Sequence, residues 1–311
     1  MKGSIYLVLS LLSPILAHTV VHSVWVNGVD QGSWYGVRAP AFNGPPWYPN
    51  TTIGSGYQNS PVKDLTSLDT KCNVFGEKRA NGVIKVFPGD VVTFEWKHEQ
   101  RTDTDDVIAS SHKGPVVVYI SSATGKANSW VKIFEEGEYE AGKWATSPKL
   151  IEEKGLHSIQ IPKGLRAGKY FLRPELITLH EADAIYSENP KRGVQLYMEC
   201  IQIEVRGRGR VKLPYNGVEF PGAYSYEDPG IHYNVYWTAT GAEPYKIPGP
   251  TVWSGAAPSI PNPTLGPRKI VETAQWKSWV RTGTLTWVDT KATPAVTSTA
   301  TEAYKPKWTG F

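Results

Sequence analysis

Val83-Ile84-Lys85-Val86-Phe87-Pro88-Gly89-Asp90-Val91-Val92-Thr93-Phe94-Glu95-Trp96 sets how the rest of the chain is read. Two β-branched and aromatic runs, 83–87 and 91–96, flank a Pro-Gly-Asp junction. Proline presets φ and glycine supplies positive φ, so the junction reads as a turn between strands. Outward from it the same pattern recurs at 18–26, 115–120, 157–161, 169–179 and 195–205, with Ala167-Gly168 as a second turn. Extended helical periodicity is nearly absent, and the one plausible helical piece, 147–154, is short. Seven short runs between turn signals predict an all-β, antiparallel β-sandwich.

The 311 residues carry 33 Lys+Arg against 29 Asp+Glu, a formal charge of +4 without long basic runs, which gives no electrostatic case for nucleic acid. Residues 3–17 form an apolar run after Lys2 that ends in Ala17. This reads as a signal peptide, residues 1–17, cleaved to leave His18 first. Read instead as a membrane anchor, the run is shorter than the ~20 residues a span needs, and Ser10, Ser13 and Pro14 interrupt it. The expected product is secreted, extracellular and monomeric, with no membrane partner.

Residues 18–250 are expected to form the sandwich domain. Beyond Pro250 the composition turns to Pro, Ser, Thr and Ala, so 251–311 reads as a largely disordered C-terminal extension. Its tryptophans, Trp253, Trp276, Trp279, Trp287 and Trp308, leave room for parts of it to dock on the domain or on carbohydrate. The two cysteines, Cys72 and Cys200, imply one disulfide in an oxidising destination, and are too isolated to make a good zinc pattern. Asn50-Thr51-Thr52 is a glycosylation sequon in a Pro/Gly-rich stretch. The long irregular loop 28–71 carries more aromatic residues than a connector needs.

An N-terminal histidine offers its α-amine and its imidazole to one metal ion, and nitrogen ligands favour Cu(II). His112 stands in a turn just before the run 115–120, where a scaffold could aim it at the same ion. His22, His98, His157 and His232 read as structural. Gln195 and Tyr197 lie two apart on a strand and share a face. Together they could supply an amide donor and a weak axial phenol.

These residues resemble Auxiliary Activity family 9, the lytic polysaccharide monooxygenases formerly called glycoside hydrolase family 61. The resemblance runs from His18 to Pro250 through Gly36-Val37-Arg38-Ala39-Pro40, Cys72-Asn73, Pro88-Gly89-Asp90 and His112-Lys113-Gly114-Pro115 with Tyr119. It continues through Gly168-Lys169-Tyr170-Phe171-Leu172-Arg173, Leu179-His180, Gln195 to Cys200, Phe220-Pro221-Gly222-Ala223-Tyr224 with Asp228-Pro229-Gly230, and Ile247-Pro248-Gly249-Pro250.

The resemblance implies an immunoglobulin- or fibronectin-III-like sandwich, one copper held by His18 and His112 with Tyr197 axial, His180 and Gln195 around the oxygen species, and a Cys72–Cys200 bridge. Three departures stand out: the long connection 181–194, Pro174 where a histidine is usual, and Met198-Glu199 where Pro-Gln is usual.

The activity so implied is oxidative cleavage of β-1,4-glucans such as cellulose, insoluble or soluble, at C1 and/or C4. It uses an external electron donor and hydrogen peroxide or dioxygen. Trp34, Tyr35, Tyr224 and Tyr236 are the foremost candidates to stack on sugar rings, beside Trp47, Tyr48, Tyr57, Tyr226 and Tyr233. The competing readings are a secreted copper-binding protein with the same brace but no polysaccharide oxidation, and a structural carbohydrate-binding module.

Overall fold

The computed structural model describes residues 18–40, 59–74, 76–123, 129–237 and 244–269, and the backbone of 279–282 and 286–289. The leader 1–17, the sequon at Asn50, and Trp47, Tyr48 and Tyr57 lie outside the described residues. In chain order the strands are β1 (Val20–Val26), β2 (Val29–Asp30), β3 (Val37–Arg38), β4 (Ile84–Val86), β5 (Val91–Lys97), β6 (Val116–Ser122), β7 (Val131–Glu136), β8 (Glu138–Glu140), β9 (Lys143–Trp144), β10 (Leu156–Gln160), β11 (Gly168–Thr178), β12 (Gln195–Met198), β13 (Cys200–Val205), β14 (Trp279–Thr282) and β15 (Thr286–Asp289). One short helix, α1 (Lys149–Glu152), falls within the predicted helical piece. No helix among the described residues is long and apolar enough to cross a membrane.

Two sheets make the sandwich. The smaller has the order β10-β5-β1-β2 and the larger β3-β13-β11-β6-β7, with β12 added along β11 and β4 along β13. All of these pairings are antiparallel except β4 with β13. The Pro88-Gly89-Asp90 turn therefore carries the chain from the larger sheet (β4) to the smaller (β5), and the turn decides the layering. Gly89 sits at φ 91°, which L side chains rarely adopt. The core between the layers includes Val24, Phe94, Trp96 and Ile159 from one sheet and Val118, Ile120, Leu172, Leu176, Ile201 and Ile203 from the other.

The larger sheet is covered on its second face as well. Val117, Tyr119, Phe171, Ile177, Leu196 and Met198 pack there against Val62, Leu65, Phe220, Tyr224 and Ile231. Burial on both faces explains how β11 holds the fully buried pair Arg173 and Glu175. The guanidinium donates to both Glu175 oxygens at 2.7 and 2.8 Å and to the carbonyls of Thr70 and Lys71. A buried charge is tolerated only when paired in this way. Arg173 thereby fixes the loop that leads into Cys72, which is disulfide-bonded to Cys200 with Cα atoms 5.1 Å apart.

The stretch 195–205, expected as one run, is two strands separated at Glu199. β12 pairs with residues 175–178 of β11 and β13 with 168–172, so the interruption is where the chain shifts along its neighbour. Part of the C-terminal extension docks on the domain. Trp253 N donates to the Lys132 carbonyl, Asn262 to the Leu156 carbonyl, Gly266 N to the Gly28 carbonyl and Lys269 N to Asp30. Residues 253–269 are thus held against the domain, as the sequence reading allowed for parts of the extension. Farther on, β14 and β15 pair with each other.

Candidate functional site

At one edge of the sandwich β1 begins, β5 and β11 end, and β6 and β12 begin. The pairing Val20↔Lys97 anchors the start of β1, and Thr19 Oγ1 donates to the Lys97 carbonyl, so His18 is delivered to this edge. His112 reaches it through the segment before β6, where Ile177 N donates to the Pro115 carbonyl and Leu179 N to the Lys113 carbonyl. A Cβ on Gly114 would collide with the Ile177 carbonyl oxygen, so this close crossing requires glycine. The same contacts bring His180, just beyond β11, against His112: their rings stack with centroids 3.8 Å apart.

Tyr197 lies beneath, with its ring 6.3 Å from that of His18 and 6.0 Å from that of His112. It is fully buried, and burial raises its phenol well above the ordinary value, so it keeps its proton. That proton goes to Gln195 Oε1 at 2.7 Å, and the Gln195 amide nitrogen donates to Glu181 at 2.8 Å. The pairings Thr178↔Gln195 and Leu176↔Tyr197 put both side chains at the end of β11, as the period-two reading expects.

Burial keeps the imidazoles neutral. It pulls His18 from the ordinary 6.5 to about 4, helped by His98, Lys63 and His180 and opposed by a hydrogen bond to Asn59. His112 falls to about 3 through burial and its neighbours His180, His18 and His98. His180 falls to about 4 through burial, with Glu181 opposing. His180 Nδ1 is buried with no hydrogen-bond partner among the described residues. Neutral imidazoles beside a protonated phenol suit a borderline cation such as Cu(II) and suit hard, oxygen-seeking cations poorly.

Other side chains at this edge carried no sequence signal. Asn59 Nδ2 donates to the His98 carbonyl at 2.7 Å while its side chain bonds His18. Lys63 pairs with Glu181 at 2.8 Å. His98, expected to be structural, borders the cluster and meets Asp106 at 2.7 Å. With Asp105 these two form the one group of three potential ligands found among the described residues. Asp105 already accepts from the backbone of Glu99 and Gln100, so the group holds its own loop. The partners here are far apart in sequence, which hides them from local pattern.

The candidate stacking residues divide. Tyr224 is buried, and its hydroxyl is 2.5 Å from Glu175 and 3.1 Å from Tyr119, so it serves the core and not a sugar platform. Trp34 is also buried, with the His22 ring tilted against it at 4.5 Å, which likewise removes it as a platform. Tyr35 is partly exposed, with its ring against Gly82. Tyr226 and Tyr233 are partly buried against the second-face core. Tyr236 is 61% exposed, and beside it Trp237, which the sequence did not single out, is 71% exposed. This arm is tied to the His180 turn, since Tyr233 N donates to the Ala182 carbonyl.

The model of Auxiliary Activity family 9 (formerly GH61) matches residues 18–245. An AA9 family lytic polysaccharide monooxygenase A of Aspergillus clavatus is 45% identical over 263 residues, 83% of this chain and 67% of that protein. One from Aspergillus fumigatus is 46% identical over 245 residues, 78% and 63% of the two. The chain thus spans about two thirds of the length of these curated relatives. Among solved structures, CvAA9A superposes with a TM-score of 0.66 at 39% identity, over 78% of this chain and 100% of that one. A cellulose-active polysaccharide monooxygenase from M. thermophila superposes at 0.55 with 27% identity, over 77% and 100%.

Proposed function

The chain belongs to Auxiliary Activity family 9, and from that premise we propose that it is a secreted, copper-dependent lytic polysaccharide monooxygenase that cleaves β-1,4-glucans such as cellulose at C1 and/or C4. The observation that carries this reading is the placing of the His18 and His112 rings about 6 Å from the buried Tyr197 ring, with His180 stacked on His112. His18, through its ring and through the amine freed by removal of 1–17, and His112 would hold one copper, with the neutral Tyr197 phenol beside them. Bound copper would supply the one-electron redox chemistry through which hydrogen peroxide or dioxygen, with electrons from an external donor, oxidises a sugar carbon.

The chain's own groups have distinct tasks. Their lowered pKa values keep both ligating rings unprotonated at neutral pH. Tyr197 retains its proton by donating it to Gln195 and stays a weak neutral group. His180, with Nδ1 unpartnered among the described residues, and Gln195, with a second amide hydrogen uncommitted among them, would hydrogen-bond the oxygen co-substrate. Tyr236 and Trp237 offer exposed faces on which pyranose rings can stack.

The test is to load the mature protein with copper, add ascorbate and amorphous cellulose, and analyse the soluble products. Aldonic acids or 4-keto sugars are expected. Tight copper binding without them would favour a copper-binding protein that lacks the oxidative activity.

A further inference from the structure

Gln195 poses a problem of orientation. Its amide has nearly the same shape either way round, yet only the carbonyl end can accept the proton of Tyr197, which at 0% exposure has no water to turn to. The other end meets Glu181 Oε2 at 2.8 Å, and the same oxygen is held by Lys63 Nζ at 2.8 Å. Lys63 also donates to the Lys191 carbonyl at 3.2 Å, and Gly193 N donates to the Glu181 carbonyl at 2.9 Å. The neck of the long connection 181–194 is therefore closed directly beside Gln195.

We propose that Glu181, clamped by Lys63, is a positioning residue that selects which end of the Gln195 amide faces Tyr197 and which faces the oxygen co-substrate. A carboxylate only accepts hydrogen bonds, so it draws the amide nitrogen and turns the carbonyl toward the phenol. Lys63 keeps an acceptor at position 181 even when the carboxylate is replaced by an amide. The assignment rests on the monooxygenase reading for its catalytic meaning, while the orientation itself can be read without metal.

The experiment uses the mature chain as wild type, Glu181→Leu, Glu181→Gln and the double variant Glu181→Gln/Lys63→Met. In metal-free protein, the Gln195 side-chain amide resonances and their hydrogen exchange report orientation directly. With one equivalent of Cu(II), calorimetry and electron paramagnetic resonance report affinity and coordination. Glu181→Leu should speed amide exchange about tenfold, leave copper affinity within about twofold, change the resonance spectrum, and lower kcat/KM for hydrogen peroxide by about 10-fold or more.

Glu181→Gln should restore all of these, because Lys63 still holds its carbonyl as the acceptor. The double variant, with no cation to choose between the ends, should behave as Glu181→Leu. Wild-type amide exchange in Glu181→Leu, or a Glu181→Gln variant as impaired as Glu181→Leu, would overturn the proposal. Failure of the wild type to bind copper would instead count against the monooxygenase reading, leaving the metal-free comparison to decide the clamp.

Discussion

Glu199 stands between β12 and β13, fully buried, with the Val21 amide donating to one oxygen at 3.3 Å and the other oxygen unpartnered among the described residues. Burial raises its carboxyl from 4.5 to about 8, against the weaker opposing pull of the Val21 hydrogen bond and Arg173. Between those two values the folded chain keeps a proton that the unfolded chain has released, so stability falls as pH rises through this window. Glu199→Gln keeps the acceptor and removes the titration. The variant should match wild type near pH 4 and melt at a higher temperature near pH 8, as thermal unfolding across that range will record. An equal alkaline loss in both proteins would show that Glu199 is not its source.

At the scale of elements, the segment that carries His112 depends on Gly114 crossing the Ile177 carbonyl. Gly114→Ala should push this segment off β11, lowering stability by about 1–3 kcal/mol and copper affinity on the order of tenfold. Chemical denaturation and calorimetry measure the two. His18, His112 and the Gln195–Tyr197 pair were read from local signatures, a histidine after an apolar run, a histidine in a turn and Gln-x-Tyr on a strand, whereas His180 was named only through the family resemblance.

Other elements were hidden for physical reasons. β7 (Val131–Glu136) carries Lys132 as its second residue, a charge buried in company with Glu135 on the same strand and the Pro248 carbonyl from remote chain, both of which it bonds. Tyr224 reads as a surface aromatic until Glu175 and Tyr119 are seen to satisfy its hydroxyl. The Lys63–Glu181 pair joins residues 118 apart, which no periodicity can announce.

For the whole molecule, the sandwich was legible from its alternating runs, while the seating of 253–269 was only allowed for. Two devices of molecular scale are testable. The Cys72–Cys200 bridge spans 128 residues, so its removal by Cys72→Ser/Cys200→Ser should cost roughly 4–5 kcal/mol on the chain-entropy estimate, read by denaturant unfolding. His22 and His157, buried away from the site, are lowered from 6.5 to about 3, chiefly by burial. As pH falls from 6.5 toward 3 the unfolded chain takes up protons that the folded chain refuses, so stability declines on acidification through that window. Glu199 acts in the opposite sense between pH 4.5 and about 8.

The central claim is that the His18 amine and ring act with His112 on one metal ion. Its most direct test is a Cu(II) titration of the chain beginning at His18, followed by calorimetry and electron paramagnetic resonance, against the same chain with its amine acetylated. The free amine should give one equivalent bound with coupling to three nitrogens. Acetylation should weaken binding by more than the roughly 10- to 100-fold typical of losing an outer-sphere partner. Equal affinities and identical spectra would contradict the claim.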